Sequence, residues 1–314
     1  MNLGSKIFAI SYFLSCGCVS SQNDVAASRP VTNFRHELGV REPVQYVSLD
    51  NVRLAYSDPD SRSSLPIVIG LHAIGHGGRD FEAVQKYFVG KYRFITLDWP
   101  GQGYSESDPE PASVVRYSKL FAKFIEQQKL ENFVILGNSM GGGVAIKYAS
   151  ENPNKVRALI LSNPAGIDEG GFFAKIFIWW IVRKMHAGSE QVDSFYDWFK
   201  EYYHKVLITD EAALERERIV ASGFEIAPIL EQAWQSFGQP DGDLRALIPK
   251  IQMPVLFAWA KKDQYVQWSR CRGAVEKFSN KKVEFFEAGH APFLETPAAF
   301  NTAAEHFLNT LGNP

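Results

Sequence analysis

The chain has 314 residues, 46% of them hydrophobic, so it can bury a substantial core, most simply as one large domain with an insertion. Its 33 basic and 35 acidic residues give a formal net charge of −2 without any long run of like charge. That balance offers no electrostatic basis for binding nucleic acid. The three cysteines, Cys16, Cys18 and Cys271, cannot build a disulfide framework.

Residues 1–28 have the pattern of an export leader. Lys6 is followed by an apolar stretch that ends at Cys16, which is too short for a comfortable transmembrane helix. Phe13-Leu14-Ser15-Cys16 resembles the cleavage box of bacterial lipoproteins, in which Cys16 becomes the lipidated first residue. Simple secretion and an uncleaved leader remain alternatives. We therefore expect an exported protein, either periplasmic, anchored to the membrane by lipid, or secreted.

Strand and helix signals alternate along most of the remaining chain. The first part predicts an antiparallel hairpin at 45–49 and 52–56, strands at 66–71, 92–97, 133–136 and 156–161, and helices at 80–88, 113–129 and from Ser139 onward. Residues 166–248 are helical and rich in aromatic side chains, with no convincing strand. The alternation resumes with strands at 254–259 and 282–287 and helices at 269–278 and 298–311.

This order predicts an α/β fold, a doubly wound and mostly parallel sheet with helices on both faces. The corresponding domain boundaries are a leader at 1–28, the core at 29–164 and 251–314, and a helical cap at 165–250. Sheets of this kind bind ligands beyond the carboxyl ends of their strands. The cap is therefore expected to cover a binding site at that edge.

The segment Asn132–Ala149 contains a candidate nucleophile. An apolar run, Phe133–Leu136, is followed by Gly137-Asn138-Ser139-Met140-Gly141 and then by a helical pattern. This is the G-x-S-x-G elbow, a sharp strand-to-helix turn that exposes the serine hydroxyl above the sheet. Glycines two positions before and after Ser139 remove the Cβ atoms that would collide there. The alternative is a glycine-rich turn with an incidental serine. Assigning Ser139 as the nucleophile therefore also requires a general base and an acid elsewhere in the chain.

A serine hydroxyl needs a general base, and the base needs a carboxylate to orient it. Asp263 follows the predicted strand 254–259, and His290 follows the predicted strand 282–287. Both lie in loops just past carboxyl strand ends, where side chains from distant positions can converge. The sequence therefore predicts a triad of Ser139, Asp263 and His290, with Asp168, after an earlier strand, as the alternative acid.

From about residue 40 the chain resembles the α/β-hydrolase superfamily of serine hydrolases. Besides the elbow it has His72-Ala73-Ile74-Gly75, close to that family's His-Gly-x-Gly loop, and the segments DWPGQGYS and GHAPFLETP. The resemblance implies an oxyanion hole formed by the backbone N–H groups of Met140 and Ile74, and no cofactor. Ala73 departs from the usual glycine, which would strain the loop if that position required a positive φ.

Two further groups have structural and functional interpretations. His72 and His76 have metal-like spacing but no accompanying carboxylate or cysteine set, so we predict no metal site and expect His72 to hold the loop through backbone hydrogen bonds. Asp98 is expected to tie loops together rather than to act as an acid catalyst. A serine at the elbow also argues against the relatives that attack with aspartate.

The substrate is suggested by the predicted cap. Residues 172–185 are almost wholly apolar and end in Arg183-Lys184, which suits either a buried helix lining an apolar pocket or a segment that contacts a membrane surface. We expect the carboxylic ester of a hydrophobic acyl or aryl group. GNSMGG partly resembles the meta-cleavage product C–C hydrolases, so C–C hydrolysis is one alternative, and a ligand sensor with slow turnover is another. The oligomeric state is left open.

Overall fold

In a computed structural model of the protein, residues 33–312 are described. The predictions for the leader at 1–28 and for lipidation of Cys16 lie outside the described residues. The same holds for the side chains of Phe172 and Phe173, although both residues belong to a described helix.

Eight strands form one sheet. They are β1 (Val44–Leu49), β2 (Val52–Ser57), β3 (Ile67–Leu71), β4 (Arg93–Leu97), β5 (Phe133–Asn138), β6 (Val156–Ser162), β7 (Val255–Ala260) and β8 (Lys281–Phe286). Their spatial order is β1-β2-β4-β3-β5-β6-β7-β8. The β1–β2 and β2–β4 pairs are antiparallel and all other neighbours are parallel. The predicted fold class, a mostly parallel α/β sheet, is therefore confirmed.

The predicted hairpin follows from its turn residues. Asp50 and Asn51, which connect β1 and β2, both have positive φ, at 49° and 67°. Two successive left-handed residues give a turn whose twist matches that of antiparallel strands, and Asp and Asn adopt this conformation more readily than other non-glycine residues.

Ten α-helices accompany the described sheet. They are α1 (Glu82–Phe88), α2 (Val114–Gln127), α3 (Met140–Glu151), α4 (Gly171–Ser189), α5 (Ser194–Val206), α6 (Ala213–Ala221), α7 (Gly223–Phe237), α8 (Trp268–Glu276), α9 (Pro292–Glu295) and α10 (Pro297–Thr310). Ser113 caps α2 as predicted, its Oγ accepting the Arg116 N–H at 3.0 Å. The one-turn helix α9 was not predicted, because four residues are too few to show a helical period.

Burial of the central strands accounts for their continuous apolar sequences. Every residue of β5 and of β7 is buried, which requires cover on both faces of the sheet. Helices provide that cover: α2 packs on α3, and α1 packs on α9 and α10. The edge strand β8 is less enclosed and leaves Phe285 exposed.

The chain between β6 and β7 folds into helices α4–α7 and two short 3-10 helices, with no strand in this described stretch. Helix α4 packs mainly along α7, and α5 packs against α4, α6 and α7. Apolar side chains such as Ile181, Phe199 and Ile226 are fully buried between these helices. The insertion therefore has packing of its own rather than lying as a loose loop.

The turn from β5 into α3 brings three backbone segments unusually close together. A Cβ placed on Gly141 would lie 2.0 Å from the carbonyl oxygen of Leu71, at the end of β3. A Cβ on Gly137 would lie 2.6 Å from the carbonyl oxygen of Gly141. Both neighbours are main chain and cannot rotate away, so only glycine fits at these two positions.

We expect Gly141→Ala to lower the free energy of unfolding by about 1–3 kcal/mol or more, because overpacking against the Leu71 carbonyl forces the backbone to shift. Urea denaturation followed by circular dichroism measures the change. Gly238→Ala is the matched control: its φ is −82° and its new Cβ would meet the nearest atom at 3.4 Å, an ordinary contact. Equal stability of the two variants would contradict the close approach.

Candidate active site

Ser139 occupies the tip of the turn between β5 and α3 in a strained conformation. Its φ is 51° and its ψ is −114°, a region that costs a non-glycine residue on the order of 1–3 kcal/mol. Neighbouring backbone holds it there: the Ser139 N–H donates to the Ser162 carbonyl at 3.0 Å, and the Ser139 carbonyl accepts the Ala165 N–H at 2.9 Å. Strain maintained in this way indicates that the position of the side chain matters.

His290 and Asp263 meet although they come from different loops. Asp263 follows β7, His290 follows β8, and the imidazole Nδ1 lies 2.6 Å from the carboxylate Oδ2. Both side chains are buried, and His290 lines the same cavity as Ser139. The structure thus gathers the three predicted triad residues at the carboxyl edge of the sheet.

Three further donors fix the Asp263 carboxylate. Its Oδ1 accepts the backbone N–H groups of Tyr265 and Val266 at 2.8 and 2.9 Å, and its Oδ2 also accepts a hydrogen bond from Asn163 Nδ2 at 2.7 Å. Asn163 in turn accepts the Ala260 N–H at 2.8 Å. These bonds hold the carboxylate in one orientation toward the imidazole.

Asn163 was not singled out from the sequence. Its φ is 41°, in the left-handed region, just past the end of β6. Asparagine at the carboxyl end of a predicted strand is the signal that could have identified it, because asparagine tolerates this conformation and has both a donor and an acceptor to offer.

The environment of His290 sets its proton affinity. Burial by itself lowers the pKa of the imidazole, but attraction to the Asp263 carboxylate and the hydrogen bond to it outweigh that effect, with a smaller contribution from Glu295. The net result is a pKa above its ordinary value of 6.5. An imidazole of this kind accepts a proton readily near neutral pH, which is what a general base requires.

Glu295 organises the loop that carries His290. Its buried carboxylate accepts the backbone N–H groups of Gly289, His290 and Ala291 at 2.8–3.0 Å. It also accepts the Ile208 N–H at 2.8 Å, which ties the loop to the inserted helices. No residue pattern distinguishes this glutamate from others in the chain, because its partners are all main-chain groups.

Asp168, the alternative acid, has other partners. One carboxylate oxygen lies 2.8 Å from Arg270 Nε, and the other accepts the Gly170 N–H at 2.6 Å. It lines the cavity but forms no hydrogen bond with His290 in the described structure. The geometry therefore favours Asp263 as the partner of the imidazole.

Of the two predicted oxyanion donors, Met140 directly follows Ser139 in the chain, and Ile74 lines the same cavity as Ser139. Met140 is the first residue of α3, and neither its N–H nor that of Ile74 donates to another described residue. Free N–H groups at a helix start favour a negatively charged group. The substitution at position 73 introduces no strain, since Ala73 is not among the residues with positive φ; Gly75 is, at 79°.

His72 holds the loop, as predicted, with both of its ring nitrogens. Nδ1 lies 2.6 Å from the Ala73 carbonyl, and Nε2 accepts the Trp99 N–H at 3.0 Å. Complete burial lowers the pKa of His72 to about 3, so the ring is neutral at physiological pH. No nitrogen of His72 is left for a metal ion, and the described residues contain no metal-binding group of three or more His, Cys, Asp or Glu side chains.

Asp98 ties loops together, as expected. Its carboxylate accepts the backbone N–H groups of Val40, Gly78 and Tyr104 at 2.8–3.1 Å. Burial raises the pKa of Asp98 to about 7, even though these hydrogen bonds oppose the change. Because hydrogen bonds from these three backbone N–H groups occupy its oxygens, the Asp98 carboxylate has a structural role.

A cavity of about 530 Å³ opens above Ser139. The loop of Ile74, the turn of Ser139 and the inserted helices α4, α5 and α7 all contribute to its wall. Its apolar lining includes Phe177, Ile178, Val206, Leu230, Trp234 and Phe237. Four charged side chains of the lining form two pairs, Asp168 with Arg270 and Asp243 with Arg245, and Lys175 lines the cavity as well. The space suits a ligand with a sizeable apolar part.

Comparisons with known proteins agree with this architecture. The family model described as the alpha/beta hydrolase fold matches residues 66–297. Monoacylglycerol lipase ABHD6 of Rattus norvegicus is 25% identical over 294 residues, which cover 90% of this chain and 86% of the rat protein.

Solved structures show the same fold. The crystal structure of a bacterial membrane phospholipase A superposes with a TM-score of 0.73 at 21% identity, covering 90% of this chain and 89% of that one. An esterase from Exiguobacterium antarcticum gives a TM-score of 0.72 at 22% identity, covering 84% of this chain and 99% of the esterase. Together with the family match over most of its length, these likenesses show that the chain belongs to the α/β-hydrolase fold family.

Proposed function

We propose that this protein is a carboxylic ester hydrolase that cleaves esters of hydrophobic acyl or aryl groups through an acyl-enzyme on Ser139. The observation that carries the proposal is the His290–Asp263 pair at 2.6 Å, on the wall of the apolar cavity that also contains Ser139. Ester hydrolysis is supported by the relatives, which include a monoacylglycerol lipase and an esterase.

In the proposed mechanism His290 takes the proton from Ser139 as Oγ attacks the ester carbonyl carbon. Asp263 stabilises the imidazolium that forms, and the backbone N–H groups of Met140 and Ile74 stabilise the oxyanion of the tetrahedral intermediate. His290 then protonates the departing alcohol. It next activates a water molecule, which hydrolyses the acyl-enzyme and releases the acid. No step needs a cofactor.

We further propose that the cavity is loaded from a lipid surface through α4. One face of this helix lines the cavity with Phe177 and Ile178, and the other exposes Ile176, Trp179 and Trp180 with 48%, 59% and 43% of their surfaces accessible. Exposed tryptophans suit the level of lipid headgroups.

Basic side chains accompany the exposed face of α4. Arg183 lies over the ring of Trp179 at 5.2 Å, and Lys184 over the ring of Trp180 at 5.8 Å. Cations beside interfacial aromatic residues attract anionic lipids. A lipid on Cys16, outside the described residues, would hold the chain at a bilayer as well. None of the helices in the described part of the chain has the length and apolarity needed to cross one.

The first prediction concerns Ser139. The full chain is expected to hydrolyse p-nitrophenyl esters from acetate to palmitate, with a maximum at one chain length set by the cavity. Ser139→Ala should reduce kcat by roughly 10³-fold or more, because the nucleophile is lost. If the wild type were no faster than Ser139→Ala on every ester, ester hydrolysis would be wrong, and C–C hydrolysis or ligand sensing would replace it.

The second prediction concerns pH. Catalysis requires neutral His290, whose pKa is raised, so kcat/KM should fall as the pH decreases through a midpoint above 6.5. Asp263→Asn removes the charge that raises this pKa. The midpoint should therefore move to lower pH, and kcat should fall by about 10⁴-fold. Asp168→Asn is the matched control, and a shift of the same size in that variant would identify Asp168 as the acid.

The third prediction concerns the exposed face of α4. In a Cys16→Ser background, which removes any lipid at that residue, Trp179→Ala with Trp180→Ala should weaken binding to anionic phosphatidylglycerol vesicles by about 10-fold or more. The size of the effect follows because the two indole side chains that are buried in lipid on binding are removed. Sedimentation with vesicles measures binding, and hydrolysis of a soluble short-chain ester should stay unchanged.

Tyr46→Ala is the control for that experiment. Tyr46 lies on β1, away from the inserted helices, and has the same 43% exposure as Trp180. Its replacement should leave vesicle binding as it was. Equal losses from Tyr46→Ala and from the tryptophan variant would show that the attachment is not specific to α4.

A further inference from the structure

Two polar groups stand out in the wall of the apolar cavity because they have no hydrogen-bond partner among the described residues. They belong to His76 and Tyr203, and we refer to this pair as the polar corner. His76 is in the loop that follows Ile74, and Tyr203 is on α5. Their rings lie 5.7 Å apart between centroids. Polar groups in an apolar wall normally have a hydrogen-bond partner, so we expect a ligand to bind at the polar corner.

His76 is oriented by a buried carboxylate. Its Nδ1 lies 2.7 Å from Asp80 Oδ2, and both side chains are almost completely buried. The carboxylate accepts the Nδ1 proton, so Nε2 is the ring nitrogen that remains for a ligand. Nε2 forms no hydrogen bond with another described residue, and His76 lines the cavity.

Tyr203 contributes a phenol that stays protonated. Burial raises the pKa of its hydroxyl, so the group remains both a donor and an acceptor. A Cβ built on Gly75 would lie 3.0 Å from this hydroxyl oxygen, which places the oxygen against the loop that carries the Ile74 N–H. The hydroxyl makes no hydrogen bond with another described residue, although the ring packs against Phe199 and Tyr202.

The local charge disfavours an anionic ligand. Glu215 is buried and interacts electrostatically with both Asp80 and His76, while its own carboxylate pairs with Arg218 at 3.2 Å. Asp80 and Glu215 therefore both place a carboxyl group near His76, which disfavours a negatively charged ligand. A neutral ligand group that can both donate and accept a hydrogen bond can pair with Nε2 and with the phenol together, and an alcohol hydroxyl does both. A carbonyl or ether oxygen only accepts.

We propose that His76 and Tyr203 form a hydroxyl-binding subsite beside the Ile74 N–H, so that the preferred ester carries a free hydroxyl group close to its carbonyl. This inference rests on the proposed ester hydrolysis and narrows its substrate class. The hydroxyl belongs either to the alcohol part, as in a partial ester of a polyol, or to the acyl chain, as in a hydroxy acid. Sites built to bind a substrate hydroxyl reject the analogue that lacks it, because their buried polar groups are then left unpaired.

Two pairs of esters of nearly equal shape separate the sources of the hydroxyl. For the alcohol part the pair is 2-hydroxyethyl octanoate and propyl octanoate, and for the acyl part it is ethyl 3-hydroxyoctanoate and ethyl 3-methyloctanoate. Each pair exchanges one hydroxyl for one methyl group. Acid release by the full chain gives kcat/KM for all four esters, and the ratio within a pair measures recognition of the hydroxyl.

We expect the wild type to prefer the hydroxylated member of at least one pair by roughly 10-fold or more. Tyr203→Phe removes the phenol oxygen and keeps the ring, while His76→Asn removes Nε2 and keeps a donor for Asp80. Each should lower that ratio by about 3- to 10-fold, the usual effect of one hydrogen bond. Because the ratio compares two esters with the same variant, a change in the overall rate cancels, and circular dichroism shows whether each variant is folded.

Tyr148→Phe is the matched control. It removes a buried phenol oxygen from α3 at a position that does not line the cavity, so the ratio should stay at the wild-type value. A wild-type ratio of one or less in both pairs overturns the subsite, as does a preference that survives in both Tyr203→Phe and His76→Asn. If His76→Asn does not fold, Tyr203→Phe alone decides between these results.

Failure of the subsite and failure of ester hydrolysis give different results. If the hydroxyl-free esters are hydrolysed in a Ser139-dependent way and the hydroxyl adds nothing, the subsite is wrong and the proposed function stands. If no ester, including the p-nitrophenyl series, is hydrolysed faster than by Ser139→Ala, the proposed function itself is wrong.

Discussion

The close approach of α3 to the end of β3 is the constraint on which the site depends. Gly141 lies so near the Leu71 carbonyl that a Cβ would come within 2.0 Å of it. The same contact joins the start of α3, which carries the Met140 N–H, to the loop that carries the Ile74 N–H. One steric requirement therefore sets both proposed oxyanion donors and the strained backbone of Ser139. Such donors are effective because they are fixed before the reaction begins.

Buried carboxylates hold the loops around this turn. Asp98, Asp263 and Glu295 accept three, two and four backbone N–H groups, and Asp98 and Glu295 thereby join segments that are distant in the sequence. Hydrogen bonds from main-chain N–H groups to a carboxylate are stronger than those between neutral groups, so they hold these loops in one conformation. Asp263 differs from the other two in that it also meets an imidazole.

The inserted helices do two things at once. Their inner side chains close the cavity, and Glu295 ties the segment at Ile208 to the loop of His290. The outer face of α4 presents Trp179 and Trp180 to solvent. The cavity wall and this exposed surface therefore belong to the same helix, which in the proposed function would give an apolar substrate a short path from a lipid surface to Ser139. The polar corner adds a chemical requirement to a space that is otherwise selective for size and apolarity.

Much of the fold could be predicted because it depends on local patterns. Apolar runs predicted the central strands, and Asp50-Asn51 predicted the hairpin turn. The spacing of glycines around Ser139 predicted the elbow, at which the backbone segments come close together. The order of Ser139, Asp263 and His290 along the chain, each after a predicted strand, was enough to propose how they would meet.

What the sequence by itself determined was the order of the elements, the fold class and the candidate residues at the ends of strands. Only the tertiary structure decided that Asp263 and not Asp168 faces His290, that Asn163 and Glu295 support them, and that His76 meets Tyr203. The physical reason is that the hydrogen-bonding and packing patterns that define helices and strands repeat every few residues, so they can be recognised in a short stretch of sequence. Side chains that meet because of loop geometry show no such repeat in the sequence, so which of them become partners can be seen only in the folded chain.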